Sequence, residues 1–425
     1  MINLLYDHDW KPNVWFPRAT GYIPSDIHVC RDLDRQIPWI FQIFLPDLNI
    51  ISPHQIDTVD SFIYPVLMQD PYLQIRSLIC NHHDDFGFWS MIDKMVVQSL
   101  RDGKGYILID ATIEPINRYD MEQLVNSLKD CTQHPNDRIH MNISDQRFVD
   151  NKNFHCHPSF LEVHFCSRLL YDPHDTFILR DDERNKSFRI RPSLDYEILD
   201  YVDNDKNKNV VYPKKTYSLF NKRVDKHLGA VFINYLLDKH NLLKDGLISL
   251  DDQGDTIPEL FESLKHITND DSFKDLKLKP LESAKENTTH DFLVISKALE
   301  SVKFNLVVEA YFTDNVIDWP LITEKIWRNV AQEKPFVVIG QKDTLKWFHQ
   351  LGYKSFHPLI NESYDQIHLD GNRILRAFKE CKKLIEMKEE DINSVVDRCS
   401  PIFKHNHKNF EKRLRKLRKF LDSLL

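Results

Sequence analysis

The chain has 425 residues, of which 42% are apolar and 28% are charged, and its formal net charge at pH 7 is −8. At this length two domains of about 200 residues each are expected, and the composition is that of an ordinary soluble globular protein. The count of only 10 glycines argues against Gly-rich linkers and repeat arrays. The acidic balance disfavours a surface that is basic throughout, but it leaves room for a local basic groove.

The cysteines and the N-terminus predict a cytoplasmic location, in a bacterium or in a virus-infected host cell. Seven cysteines without a CxxC pair indicate reduced thiols. The opening MINLLYDHDW lacks the basic segment and the long apolar segment of a signal peptide. No apolar run approaches the roughly 20 residues that cross a bilayer, so no membrane span is predicted.

Short apolar runs in the first half predict a Rossmann-like domain. Residues 2–6 favour an opening strand, and residues 106–109 favour a buried parallel strand that ends at Asp110. A helix is expected over 121–128 and another strand over 139–143. This β-α-β order is typical of a parallel sheet with crossover helices.

The second half repeats this alternation after a polar linker at 200–209. Its predicted elements alternate between strand and helix, and they are strands 217–220, 305–308 and 336–339 and helices 224–236, 324–331 and 344–351. The expected fold class is therefore α/β and GT-B-like, with two Rossmann-like domains facing a cleft. The predicted domains are 1–208 and 209–400, followed by a C-terminal helix at 401–425.

That final helix is amphipathic and basic. Its apolar residues recur on one face, at Phe410, Leu414, Leu417, Leu421 and Leu424. The other face is rich in Lys and Arg, as the run KRLRKLRKF shows. The apolar face predicts a docked helix with a solvated basic side, and the basic side keeps contact with a nucleic-acid backbone open.

The segment 308–340 combines groups that suit a nucleotide diphosphate within one strand-loop-helix-strand unit. Glu309 lies just past a strand, where ligands bind in open α/β sheets, and a carboxylate can accept hydrogen bonds from a diol. Thr323 is expected to cap a helix whose N-terminus can face phosphates. Lys325 in the first turn opposes the helix dipole, which indicates a nearby anion.

A second basic turn follows the strand at 217–220. Arg223 lies there with Lys226 close behind it in the sequence. If both turns face the cleft, Arg223 and Lys325 together would neutralise a diphosphate and stabilise it as a leaving group.

Two segments, YSLFNKRVDKH and VVEAYFTDNVIDWPLITEKIWRNVAQEKPFVVIG, resemble the C-terminal domain of α1,3-fucosyltransferase-like enzymes. The match is best at Thr323-Glu324-Lys325 and at the strand PFVVIG. The later run LGYKSFHPLINESYD resembles phage-encoded relatives of that group. The similarity covers roughly residues 212–370.

This resemblance implies a GT-B fold, a nucleotide-sugar donor, inversion at the anomeric carbon, no cofactor and no essential metal. It implies that Arg223 and Lys325 hold the diphosphate, and that Glu309 and Glu324 hold ribose or sugar hydroxyls. The chain departs from the family where Glu-Ala-Tyr replaces Glu-Asn-Ser and Leu-Ile replaces Tyr-Val. Whether the sugar and base are fucose and guanine is therefore open.

An inverting transfer needs a base that deprotonates the acceptor hydroxyl, and the N-terminal domain is expected to supply it. Asp110 and Glu114 are the best-placed candidates, because they end or follow an apolar strand. Asp84 and Asp85 compete with them, as do His82 and His83.

Two metal-binding alternatives remain. His155, His157, His164 and Cys166 form two i,i+2 pairs that suit zinc on a hairpin, although packing within strands explains them as well. Asp203 and Asp205 spell the DxD motif with which GT-A enzymes hold a divalent metal, although a solvated linker explains them better.

The leading hypothesis is a hexosyl- or pentosyltransferase that uses a nucleotide-diphosphate sugar. Its acceptor hydroxyl belongs either to a glycan or to a hydroxymethylated or glycosylated base in phage DNA. Residues 1–208 would bind the acceptor and residues 209–400 the donor. The rivals are a metal-dependent GT-A transferase and a non-catalytic nucleotide-binding module.

Overall fold

The structure is a computed structural model that forms two compact units. One comprises residues 1–193 and 411–425, and the other comprises residues 194–410. The residues that the structure describes are 2–5, 48–67, 94–112, 138–143, 152–159, 162–163, 166, 177–181, 186–190, 213–221, 228–250, 298–309 and 320–425.

The first unit contains a parallel sheet of six strands. In chain order these are β1 (Ile2–Leu5), β2 (Leu48–Ile51), β3 (Phe62–Leu67), β4 (Gly105–Ala111), β5 (Ile139–Ile143) and β6 (Phe154–His155). The spatial order is β2-β1-β3-β4-β5-β6, and every pairing is parallel. The central strands read as continuous apolar runs because both faces of a parallel sheet are covered.

Other described elements of this unit are a short helix and a separate hairpin. They are α1 (Lys94–Arg101) and the antiparallel strands β7 (Phe177–Asp181) and β8 (Lys186–Ile190). The strands predicted at 2–6, 106–109 and 139–143 are present, and β5 has the predicted bounds. The helix predicted at 121–128 lies outside the described residues.

The second unit contains a four-stranded parallel sheet. Its strands are β9 (Lys215–Asn221), β10 (Gly246–Leu250), β11 (Val302–Val308) and β12 (Phe336–Ile339), in the order β10-β9-β11-β12. Its helices are α2 (Leu228–Lys239), α3 (Glu324–Ala331), α4 (Thr344–Gln350), α5 (Asp370–Ile385) and α6 (Glu389–Arg398). The strand order reverses between β9 and β11, and ligands bind outside the carboxyl ends of strands at such a point.

The predicted fold class is confirmed: each unit is α/β with a parallel sheet of Rossmann type, and two such units in one chain are what a GT-B-like protein requires. The predicted domain boundary at 208/209 lies outside the described residues. The cleft remains a prediction.

The last helix, α7 (Ser400–Leu424), is shared between the units: the second includes its residues up to Phe410 and the first includes the rest. Its predicted apolar face is buried, with exposed fractions between 0% at Phe410 and 7% at Leu424. In the first unit Arg413 donates to both oxygens of the buried Glu162 carboxylate, at 2.7 and 3.0 Å. This forked pair fixes the C-terminal end of the chain to the segment that follows β6.

Replacing Arg413 with Met is expected to lower the free energy of unfolding by about 3 kcal/mol, because the Glu162 carboxylate stays buried after losing its cation. Chemical denaturation of the purified chain measures this change. The matched control is Arg415→Met on the same helix, since the Arg415 side chain is 68% exposed and lies 3.7 Å from Glu411. That change should cost less than about 0.5 kcal/mol. Equal effects of the two substitutions would contradict the assignment.

Candidate functional site

Glu309 is the central residue of the candidate site in the second unit. It directly follows β11 and is only 1% exposed. Thr323 holds both of its carboxylate oxygens: the main-chain N–H donates to Oε1 at 3.2 Å, and the hydroxyl donates to Oε2 in a very short hydrogen bond. The end of the strand is thereby tied to the start of α3.

Thr323 caps α3 as the sequence predicts. Its backbone is extended, and its hydroxyl oxygen accepts a hydrogen bond from the main-chain N–H of Lys325 at 3.4 Å. A threonine hydroxyl has one proton and two lone pairs, so it can donate to Glu309 while it accepts from the helix. The helix begins and ends at the predicted residues, Glu324 and Ala331.

Lys325 lies between two carboxylates. Its Nζ is 3.2 Å from an oxygen of Glu324 and 3.9 Å from an oxygen of Glu309, and its side chain is 14% exposed. The sequence indicated an anion near this lysine, and the structure supplies one from within the chain. Glu324 is the most open member of the cluster, with a side chain that is 32% exposed.

Glu309, Thr323, Glu324 and Lys325 form one cluster, in which the two carboxyl groups have very different pKa values. Burial raises the pKa of Glu309 to about 7, although Lys325 and the Thr323 hydrogen bonds oppose the rise. Burial would also raise the pKa of Glu324, but Lys325 and Arg328 outweigh it and lower that pKa to about 2. The two carboxylates in turn raise the pKa of Lys325 against the effect of its burial. Near neutral pH the cluster therefore contains a cation, a fixed anion and an acid that is close to half-protonated.

Gly340, which directly follows β12, packs closely against the Glu309 side chain. A Cβ atom on Gly340 would lie 2.8 Å from the Thr344 hydroxyl and 3.5 Å from Cγ of Glu309, so a larger residue would crowd this point. The carbonyl of Gly340 accepts a hydrogen bond at 2.9 Å from Nε of the buried Arg373. Neither role was predicted from the sequence. The signal that was available was a glycine at the end of an apolar strand.

Only one of the candidate bases predicted in the first unit lies within the described residues. Asp110 lies near the carboxyl end of β4 and is 2% exposed. Its Oδ1 accepts hydrogen bonds from the Thr112 main-chain N–H at 3.2 Å and from the Thr112 hydroxyl at 2.7 Å. Its Oδ2 is buried and has no hydrogen-bond partner in the described part of the chain. Burial raises the pKa of Asp110 to about 6, and the bonds from Thr112 oppose that rise.

A second polar residue accompanies Asp110 at this edge of the sheet. Asn142 on β5 is in register with Asp110. It accepts from the main-chain N–H of His157 at 2.9 Å and donates to the carbonyl of Pro158 at 3.1 Å. Nε2 of His157 is buried and, within the described residues, unpartnered. From the sequence, His157 was predicted only as a possible metal ligand, and no role was predicted for Asn142.

Two of the histidines predicted as metal ligands, His155 and His157, pack against an aromatic ring. His140 and His155 share a hydrogen bond of 3.0 Å, and the ring centroid of Phe420 lies 4.2 Å from that of His155 and 4.6 Å from that of His157. Burial, with help from neighbouring charges, lowers the pKa of His155 to about 4 and that of His157 to about 3. His155 and His157 are thus neutral rings near pH 7, in contact with Phe420.

Cys166, a further member of the predicted zinc set, is buried and is not part of a disulfide. No group of three or more His, Cys, Asp or Glu suited to a metal ion occurs among the described residues. The remaining predicted site residues all lie outside the described part of the chain, namely His82, His83, Asp84, Asp85, Glu114, His164, Asp203, Asp205, Arg223 and Lys226. Their roles remain predictions.

Comparison with known proteins adds little. Neither a protein-family model nor a curated protein matches the chain. Among solved structures, α,α-trehalose 6-phosphate synthase from Burkholderia multivorans is similar at 10% identity and a TM-score of 0.37, over 92% of this chain and 78% of that chain. Similarity at this level establishes neither a shared activity nor a shared substrate. In the described part of the chain no helix is long and apolar enough to cross a membrane.

The raised pKa of Glu309 predicts a pH-dependent stability. Between about pH 4.5 and about pH 7 the folded chain retains a proton on Glu309 that the unfolded chain has released, so the free energy of unfolding falls as the pH rises through this window. Glu309→Gln cannot lose that proton. Its unfolding free energy should therefore fall less than that of the wild type between pH 5 and pH 7.5, by a few kcal/mol.

Urea denaturation at both pH values measures the difference. The control is Glu333→Gln, because Glu333 is exposed and should leave the pH dependence as it is in the wild type. An identical pH dependence in Glu309→Gln and the wild type would show that Glu309 is not protonated in the folded chain.

Proposed function

We propose that this chain is a glycosyltransferase that moves a hexosyl or pentosyl group from a nucleotide-diphosphate sugar to an acceptor hydroxyl. The observation that carries the proposal is the buried cluster of Glu309, Thr323 and Lys325, which joins the end of β11 to the start of α3. It lies at the point where the strand order reverses, beside the carboxyl end of β9. In open α/β sheets this is where nucleotides bind.

The donor chemistry follows from what each group can offer. The N-terminus of α3 presents main-chain N–H groups and a partial positive charge to a phosphate. The Lys325 ammonium can exchange its ion pair with Glu324 for one with a bound diphosphate. Glu324 is partly exposed, so its carboxylate can then turn to water or to a hydroxyl of the donor. Glu309 holds the lysine and the helix start in place. Arg223, predicted at the turn after β9, adds the second cation that a leaving diphosphate requires.

The finer features of the proposal come from the sequence resemblance. Similarity to α1,3-fucosyltransferase-like enzymes and to their phage-encoded relatives supports inversion and a metal-independent mechanism. Inversion needs one base on the acceptor side. Asp110 suits this role because its carboxylate is buried and one of its oxygens has no partner in the described part of the chain. The acceptor remains a glycan hydroxyl or a modified base in phage DNA.

Donor binding is tested first by thermal shift against nucleoside diphosphates and nucleotide sugars, with and without EDTA. A ligand at about 100 times its dissociation constant should stabilise the wild type by about 2.7 kcal/mol. Lys325→Ala, and separately Arg223→Ala, should weaken binding about 10-fold or more, because each removes a charge-assisted contact to phosphate. The shift is read against each variant's own unliganded midpoint, since Lys325→Ala also unbalances two carboxylates.

Lys346→Ala is the control, because its side chain is 58% exposed and lies 3.6 Å from Asp343, which is not a member of the Glu309, Thr323 and Lys325 cluster. No shift with any nucleotide, or an unchanged shift in Lys325→Ala, would refute the donor site. Binding that disappears in EDTA would favour the metal-dependent alternative. Binding without hydrolysis or transfer to any acceptor would favour the non-catalytic module.

The base is tested with Asp110→Asn. This variant should still bind the donor, but its rate of transfer should fall about 10²- to 10⁴-fold, because an amide cannot accept the acceptor proton. The wild-type rate should rise as the pH increases through about 6, since the base must be ionised and burial raises the pKa of Asp110 to about 6. Asp102→Asn, at an exposed aspartate, should keep both the rate and the profile. Full activity in Asp110→Asn would assign the base to another residue.

A further inference from the structure

Two successive turns in the second half of α7 carry a compact group of cations on their exposed side. Lys412, Arg415, Lys416 and Lys419 on α7 are all exposed, and we call these four residues the basic stripe. At 3.6 residues per turn they fall within an arc of about 100°, along about 10 Å of the helix. The stripe belongs entirely to the part of α7 that the first unit includes.

The described residues do little to neutralise the basic stripe. Glu411 lies 3.7 Å from Arg415, and Asp422 is engaged by Arg418 at 2.8 Å. Within the described residues, Lys412, Lys416 and Lys419 form no ion pair. The pairs Lys412–Lys416 and Arg415–Lys419 place like charges four residues apart, which destabilises a helix by a few tenths of a kcal/mol each. An anionic partner would relieve that repulsion.

The surroundings of the stripe discriminate between kinds of anionic partner. The apolar face of α7 is buried, with Leu417 and Leu421 fully covered, so the helix has no face left to insert into a lipid surface. The exposed face offers no aromatic or aliphatic anchor, and such anchors dominate protein interfaces. The four cations are spread over about 100° of the helix surface and about 10 Å of its length. Cations spread over such an area fit several phosphates of one polyanion better than a single phosphate.

We propose that the basic stripe binds the sugar-phosphate backbone of a nucleic acid. Each of its four cations would contact one phosphate and release the counterions condensed there. The contact would carry no sequence information, because Lys and Arg on phosphates position a protein and do not read bases. This interaction does not depend on the proposed donor site, so either proposal can fail while the other stands.

The test is fluorescence anisotropy with a labelled 20-base-pair DNA duplex of arbitrary sequence. For four phosphate contacts the logarithm of the binding constant should fall with the logarithm of the salt concentration with a slope of about −3.6, or about 150-fold between 50 and 200 mM. The stripe variant Lys412→Gln/Arg415→Gln/Lys416→Gln/Lys419→Gln should bind at least 100-fold more weakly at 50 mM salt, and its slope should approach zero.

The control variant removes four exposed lysines from the second unit. These are Lys346, Lys354, Lys379 and Lys383, each changed to Gln. It should retain the affinity and the slope of the wild type. Thermal unfolding of both variants verifies that they are folded, which is expected because every changed side chain is exposed.

Three results would overturn the proposal. The first is no binding of the duplex at 50 mM salt by the wild-type chain. The second is an equal loss of affinity in the stripe variant and the control variant, which would indicate diffuse charge. The third is binding to anionic lipid vesicles that depends on the stripe while the duplex does not bind, which would identify a membrane surface as the partner.

Discussion

A buried carboxylate must be stabilised by its neighbours, and the candidate site in the second unit is organised by how Glu309 meets this requirement. Water cannot reach it, so Thr323 provides two hydrogen bonds and Lys325 provides the charge. These contacts fix the start of α3 against the end of β11. The close approach of β12 at Gly340 and the hydrogen bond from Arg373 complete the same arrangement. One desolvated group thereby connects the ends of β11 and β12 with the start of α3.

Asp110 in the first unit shows the contrasting solution. It too is buried at the end of a parallel strand, but it has no cation beside it in the described residues, and only Thr112 donates to it. Glu309 has partners on both oxygens, whereas Asp110 has them on one. A carboxylate with hydrogen-bond partners on both oxygens stabilises the elements that it joins. A carboxylate with one unpartnered oxygen is able to accept a proton or a hydrogen bond from a hydroxyl. This difference is why we propose a positioning role for Glu309 and the role of base for Asp110.

The sequence predicted those parts of the fold that depend on local signals. The helix from Glu324 to Ala331 has a threonine cap and apolar residues at helical spacing, and its bounds were predicted correctly. The strands β5 and β12 are short apolar runs, and they were also located correctly. Such features depend on neighbours within about one turn or one strand, which a single sequence displays.

Contacts between residues that are distant in the sequence could not be predicted in the same way. Lys325 was interpreted as a sign of an external anion, because nothing in the local sequence shows that the Glu309 carboxylate lies beside it in the folded chain. His155 and His157 were considered as metal ligands because their spacing suits zinc, but spacing does not reveal that Phe420, more than 250 residues later, packs on both rings. Asn142 and Arg373 act through main-chain groups that are distant in the sequence. Contacts of this kind are decided by the packing of the whole unit.

The division of the chain into units has a consequence for its synthesis. The first unit needs residues 411–425 in addition to residues 1–193, and Glu162 finds Arg413 only across 251 positions of sequence. A growing chain leaves the ribosome N-terminus first, and domains usually fold as they emerge. Here the unit that is made first cannot be completed until the unit made second has been synthesised. Until then Glu162 lacks Arg413 and the histidine rings lack Phe420, so the nascent first unit must persist in an unfinished state while the rest of the chain is made.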